Sequence, residues 1–284
     1  MKSRLVFVVA LLLLPLSGCG ILSIGYNYAD AYLRYSINSY TDFSDTQKET
    51  IKKEVGIFMA WHRRAMLPEY VAFLQELQQT AESGAPLKTE DVRRFRTEVR
   101  ALYVKTLLPA IGPAAGLLSE LDAVQVRELA ASFARENSKQ RDKELGGNRD
   151  EQLRKRAERT VDFLEHQVGG FSESQLEKIR EMNGSLPYAT DLYIAQREDN
   201  QNRLLELLKN NGNKADVESA LSAWLYHPEA NRSAADNATM QAFESGSDEM
   251  IATVYQLLSE RQKKTLLKNI ARYISTFQEL ASVK

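Results

Sequence analysis

Phe43-Ser44-Asp45-Thr46-Gln47, with Ile51 four residues on, contains every signal of a helix start. A serine at the cap accepts a bond from a free backbone N–H, and a glutamine three residues later reaches back to the cap's own N–H. Asp45 suits the positive end of the helix dipole, and Phe43 and Ile51 bracket the first turns with apolar contact. The same order recurs at Leu121-Asp122-Ala123-Val124-Gln125 with Leu129 and at Phe171-Ser172-Glu173-Ser174-Gln175 with Ile179. It appears once more at Leu258-Ser259-Glu260-Arg261-Gln262 with Leu266. The cap pairs are therefore Ser44 and Gln47, Asp122 and Gln125, Ser172 and Gln175, and Ser259 and Gln262. Each cap is worth on the order of 1 kcal/mol.

Between these starts the apolar residues recur at helical spacing, and no stretch shows sustained alternation with β-branched residues. The expectation is an all-α protein, a multi-helix bundle of long, proline-kinked helices. A helix over 44–82 carries Pro68, which removes a backbone donor and restricts Leu67, so a kink or break is expected there. A helix opening near Thr89 is expected to end at Pro109, Gly112 and Pro113. Helices over 121–145 and up to Val168 stop at Gly146-Gly147 and Gly169-Gly170. Further helices are expected over 172–186, from Pro187 to about Asn210, up to Tyr226, over 237–258 and over 259–281. In the helix after Pro187 the seam Tyr193-Arg197-Asn200-Leu204-Leu208 mixes polar and apolar residues. It suits either a ligand-facing groove or a change of packing partner, the second being the commoner situation.

Upstream, Lys2 and Arg4 precede an apolar run from Leu5 to Leu16, too short to span a bilayer as a stable helix. The run ends in Leu16-Ser17-Gly18-Cys19, where small residues give a peptidase access to the bond before Cys19. This string resembles the lipobox of bacterial lipoproteins. The resemblance implies that 1–18 is a removed signal peptide and that Cys19 becomes a diacylated first residue. Each buried methylene contributes roughly 0.8 kcal/mol to holding such an anchor. It also implies a periplasm-facing location in a Gram-negative envelope, and Gly20 in place of an acid points to the outer membrane. On this reading 19–42 is the lipidated N-terminus with a short helix, and 43–284 is the helical domain. Tyr26, Leu33, Ile37 and Tyr40 fit one face of that short helix. Its tyrosines either sit at a membrane interface or pack back on the body, and packing is favoured for aromatics at helical spacing.

Without Lys2 and Arg4, 35 basic residues face 38 acidic ones, a net charge of −3 from Cys19 onward. No basic excess argues for nucleic acid as a partner. With Cys19 the sole cysteine, neither a disulfide nor a thiolate metal site is expected, and stability must come from buried apolar surface.

The repeated helix start resembles the Leu-Thr-x-x-Gln motif of the Spy/CpxP type of periplasmic helical proteins, which implies a helical body and a client-binding face. A second resemblance covers most of the chain from Cys19. Tyr26-Asn27 with Asp30, Tyr40-x-Asp42 and Trp61-His62-Arg63 with Leu67-Pro68 are similar to an uncharacterised family of proteobacterial lipoproteins, all-helical and with no assigned activity.

No Gly-x-Ser-x-Gly elbow, phosphate loop or His-Glu-x-x-His pair is present. His62, His166 and His227 are far apart, and no catalytic residue, metal site or cofactor is expected. Trp61, His62, Arg63 and Arg197 remain as candidate interaction residues. The function expected is that of a lipid-anchored, non-enzymatic binding or scaffolding protein, its partner an unidentified envelope protein or client. A chaperone-like or envelope-stress role is an alternative. A second is a cell-wall or lipid-modifying enzyme, whose sign would be Glu69, His62, Arg63, Arg197 and Glu198 converging in a deep pocket. A broad apolar groove would speak against a purely structural role.

Overall fold

A computed structural model describes residues 19–282. The signal segment 1–18 lies outside the described residues, and the side chain of Cys19, with its expected lipid, lies outside the described part as well. The elements are α1 (Cys19–Asn27), α2 (Ala29–Asn38), α3 (Asp45–Trp61), a π turn (His62–Met66), α4 (Leu67–Glu82), α5 (Thr89–Ser119) and α6 (Ala123–Leu145). They continue with α7 (Arg149–Val168), α8 (Glu173–Ser185), α9 (Thr190–Lys209), α10 (Lys214–Tyr226), α11 (Ala234–Leu257) and α12 (Glu260–Ser282). The fold is an all-α multi-helix bundle, with no strand among the described residues.

All four helix starts cap as their sequences dictate. Ser44, Ser172 and Ser259 each accept from the N–H of the glutamine three residues on, and each glutamine Oε1 accepts the cap's own N–H at 2.9 Å. Asp122 accepts from Val124 and Gln125 while its N–H donates to Gln125 Oε1. The unused glutamine amides then meet in pairs. Gln47 and Gln125 exchange Nε2–Oε1 bonds of 3.2 and 2.7 Å, and Gln175 and Gln262 do the same at 3.0 and 3.2 Å. Each NH2 also donates to a carbonyl next to its partner's helix start, Glu120, Asp42, Leu257 and Gly170 respectively. Two remote helix starts thus interlock at each of two joints, satisfying the amide donors and acceptors that burial would otherwise leave costly.

Around these joints α4 packs along α12, α5 along α10 and α11, α6 along α9, and α7 along α8. Leu22 and Tyr26 of α1 enter a core with Met66, Leu67, Tyr70 and Phe277. Leu33 and Ile37 of α2 cover Phe43, Ile51 and Val55 instead. The N-terminal helix breaks at Tyr28, so its tyrosines divide. Tyr26 is 2% exposed, whereas Tyr28 and Tyr35 are 68% and 65% exposed. Burial of Arg156 without a carboxylate is another tertiary joint. Its guanidinium donates to Asn183 Oδ1 and to the carbonyls of Asn183, Leu186 and Pro187, closing the negative end of α8.

Before Pro68 the regular α-helix is interrupted as expected, and the interruption takes the form of the π turn, with the Leu67 N–H bonded to the His62 carbonyl. That extra residue makes room for the ring. Pro109 and Pro113 do not end α5, which runs unbroken from Thr89 to Ser119. They stand four residues apart on one exposed face. Ile111 and Ala115 hold the opposite face in the core, and Thr106, one turn before Pro109 on the prolines' own side, is buried against Tyr70. Helix α11 also begins three residues earlier than expected, because Ser233 caps it by accepting from Asp236 N–H.

Candidate functional site

The continuity of α5 creates the site. Among the described residues it is the one helix long and apolar enough to cross a membrane, yet only 17% of that apolar stretch is buried. Its uncovered side, with Leu107, Pro109, Ala110, Pro113 and Ala114, forms one wall of an open groove of about 1520 Å³. Ile51, Val55, Phe58 and Trp61 of α3 face it, and Leu33 and Ile37 of α2 extend that wall. Leu129 and Phe133 of α6, Leu204 of α9, Trp224 of α10 and Met240 and Phe243 of α11 complete the lining. The volume exceeds the roughly 300–1,000 Å³ of ordinary small-molecule pockets. Neither Pro68 nor Pro187 lies on its lining. Pro68 is exposed and Pro187 accepts from Arg156; Pro109 and Pro113 stand on the wall instead.

Polar groups gather on one part of this lining. Arg96 makes a bidentate pair with Asp248, at 2.9 and 3.0 Å, and a further bond of 2.9 Å to Glu244. Arg100 donates to the Leu225 carbonyl, and Arg232 donates through Nε to Gln196 Oε1 at 3.0 Å. Tyr193 stacks edge-on against Phe243. It is 47% exposed, yet its hydroxyl is held above the ordinary phenol range, first by burial and then by Glu244. Those two properties together describe a ring on a concave wall. Arg197, one turn along α9, lines the same part and has no carboxylate, carbonyl or ring partner among the described residues.

The seam read from sequence in α9 is therefore divided. Tyr193, Arg197 and Leu204 reach the groove, while Leu208 packs in the core with Val126 and Val217. Sequence reasoning missed Arg96, Arg100 and Arg232. Arg96 and Arg100 stand on α5 and Arg232 in the turn before α11, and only the packing of α5 against α10 and α11, with the turn folded onto α9, brings them together.

The Trp61-His62-Arg63 cluster splits three ways. Trp61 faces the groove. His62 is buried in a chain of hydroxyls, with Tyr26 Oη at 2.9 Å from Nδ1 and Tyr70 Oη at 3.3 Å from Nε2. Tyr70 bonds Thr106 Oγ1 at 2.5 Å, and Thr106 donates to the Leu102 carbonyl at 2.7 Å. Only one direction satisfies every atom. Thr106 has spent its proton, so Tyr70 donates to it and accepts from His62 Nε2–H, leaving Nδ1 to accept from Tyr26. Burial, then the neighbouring Arg63, lowers the imidazole to a pKa of about 4. Arg63 donates to the Leu280 carbonyl at 3.0 Å and to Asn27 Oδ1, and its guanidinium stacks over Tyr26. Both residues thus fasten α1 and α12 to the π turn.

Glu69 pairs with Lys105 at 2.7 Å and Glu198 with Arg141 at 2.9 Å, so of the five residues named for an enzyme pocket only Arg197 lies on the groove. Among the described residues no three of His, Cys, Asp and Glu are placed to share a metal ion. What the arrangement offers chemically is an extended apolar surface with cationic hydrogen-bond donors at one part.

Fold and groove together define an all-helical protein with a large, open, largely apolar groove. Residues 39–235 match DUF6279, a family of unknown function, and the chain belongs to that family. The match spans most of the groove, from the end of α2 to the beginning of α11. No curated protein and no solved structure matches the chain.

Proposed function

We propose that this chain is a lipid-anchored, non-enzymatic binding protein of the bacterial envelope. It is tethered through Cys19, faces the periplasm from the outer membrane and works through the groove on α5. The observation that carries this reading is the groove itself. A soluble bundle that leaves a wall of leucine, proline and aromatic side chains open loses roughly 25 cal/mol for every Å² it fails to bury, a cost that a ligand recovers. The anchor rests on Leu16-Ser17-Gly18-Cys19, and the exposed faces of Ile24, Tyr28 and Tyr35 just beyond it suit an interfacial layer.

Two measurements in intact cells test it. The Cys19→Ala protein should leave the detergent-extracted membrane fraction that holds the parent protein. A photoreactive amino acid at Leu107 should yield a defined adduct, whereas the same group at exposed Val124 should yield none. An unchanged fractionation would remove the anchor, and no adduct at Leu107 would remove the binding role.

A further inference from the structure

The lining of the groove is polarised. Four arginines, Arg96, Arg100, Arg197 and Arg232, lie where α5, α9 and α11 approach one another, and Glu229 and Glu244 are the lining carboxylates beside them. Away from that part, Glu54 is the only charged side chain on the lining among the described residues, and the walls are mostly aliphatic and aromatic, with Thr41, Thr50 and Gln140 as neutral polar members. The local pairing leaves cationic charge over. Asp248 and Glu244 answer Arg96, while Arg232 and Arg100 are held by the neutral oxygens of Gln196 and Leu225. Arg197 has no partner among the described residues. A guanidinium in that position presents a planar fork of donors suited to a phosphate or carboxylate.

We propose that the groove holds a diacyl lipid with an anionic headgroup, its chains along α3 and α5 and its phosphate on Arg197. This rests on the binding reading above and names its ligand. Volume argues for two chains, since the space exceeds what one small ligand fills. Polarity argues for a lipid over a peptide. An extended peptide carries backbone donors and acceptors along its whole length, and helical walls, whose backbone groups are spent within the helices except at the carbonyls freed by Pro109 and Pro113, answer few of them. A headgroup needs polar partners at one end only, which is where the groove provides them.

Both tryptophans of the chain, Trp61 and Trp224, line the groove and report on its contents. The full chain, purified in a neutral detergent, is titrated with phosphatidylglycerol brominated on its acyl chains, and separately with brominated phosphatidylcholine. Tryptophan quenching should reach its midpoint at about a tenfold lower fraction of the anionic lipid, the scale of hydrogen bonds to a charged group. Arg197→Gln should remove that preference, and Arg197→Lys should retain most of it. Ala114→Phe, which narrows the groove, should weaken quenching by both lipids, with circular dichroism confirming an unchanged helix content. Equal midpoints for the two lipids, or a preference unaltered in Arg197→Gln, would overturn the headgroup assignment. Quenching in the parent no greater than in Ala114→Phe would overturn the lipid. If the Leu107 adduct in cells is then a polypeptide, the binding role stands with a protein occupant and this proposal fails. No adduct at all removes the binding role itself.

Discussion

His62 is the residue on which the pH behaviour of the core turns. In the folded chain it is neutral, accepts from Tyr26 and donates to Tyr70. Protonating it would place a second donor against the Tyr26 hydroxyl and a buried charge beside Arg63, which is why its pKa falls to about 4 from the ordinary 6.5. Between those values the unfolded chain binds more protons than the folded one, so acid favours unfolding. The contribution is complete above pH 6.5 and is lost as pH falls toward 4, a total of about 3 kcal/mol at 1.36 kcal/mol per unit. Urea denaturation at pH 7 and pH 4.5 should show the loss, and His62→Gln should flatten the difference between the two. An equally steep acid limb in the variant would refute the assignment. Trp61-His62-Arg63 was legible as a cluster worth naming. That its three side chains serve a groove, a buried hydroxyl chain and a helix terminus was not, because these depend on helices 36 and 217 residues away.

At the scale of elements, the helix starts do more than cap. Gln47 accepts the Ser44 N–H, accepts from Gln125 and donates to it in return. Gln47→Ala therefore strips one backbone donor and leaves the Gln125 amide partly unpaired in a buried site, a loss of about 2 kcal/mol. Gln125→Ala should cost a similar amount. The double variant should cost clearly less than the two single losses added, because the second change removes a group already orphaned. Thermal midpoints of the four proteins check this, and simple additivity would mean that the two helix starts are independent caps. Sequence showed where each helix begins, since a cap and its glutamine lie within four residues. It did not show that the starts pair, nor that Pro109 and Pro113 survive inside α5. Local rules disfavour both prolines, and what outweighs them is the packing of Thr106, Ile111 and Ala115 against elements distant in sequence.

For the whole molecule, the joint between α5 and α11 shapes the polar part of the groove, and Asp248 is its pivot. Its side chain is 1% exposed and grips Arg96 through both oxygens, with Arg93 at 3.8 Å. Asp248→Ala should lower stability by about 2 kcal/mol, less than for a fully buried pair because Arg96 keeps part of its hydration and Glu244. Glu244→Gln, at a half-exposed site, should change stability little. Guanidinium midpoints distinguish the two, and equal effects would mean that the burial of Asp248 carries no special weight. Sequence by itself determined the helical class, the position of nearly every helix and the want of any polar motif of known chemistry, because periodicity, caps and glycine stops act over a few residues. Tertiary structure alone decided which helix starts interlock, that a doubly proline-bearing helix runs unbroken, and that its uncovered face becomes the wall of a groove. Those outcomes are set by contacts across 78 to 152 residues of chain, where the free energy of packing overrides what each short stretch prefers alone.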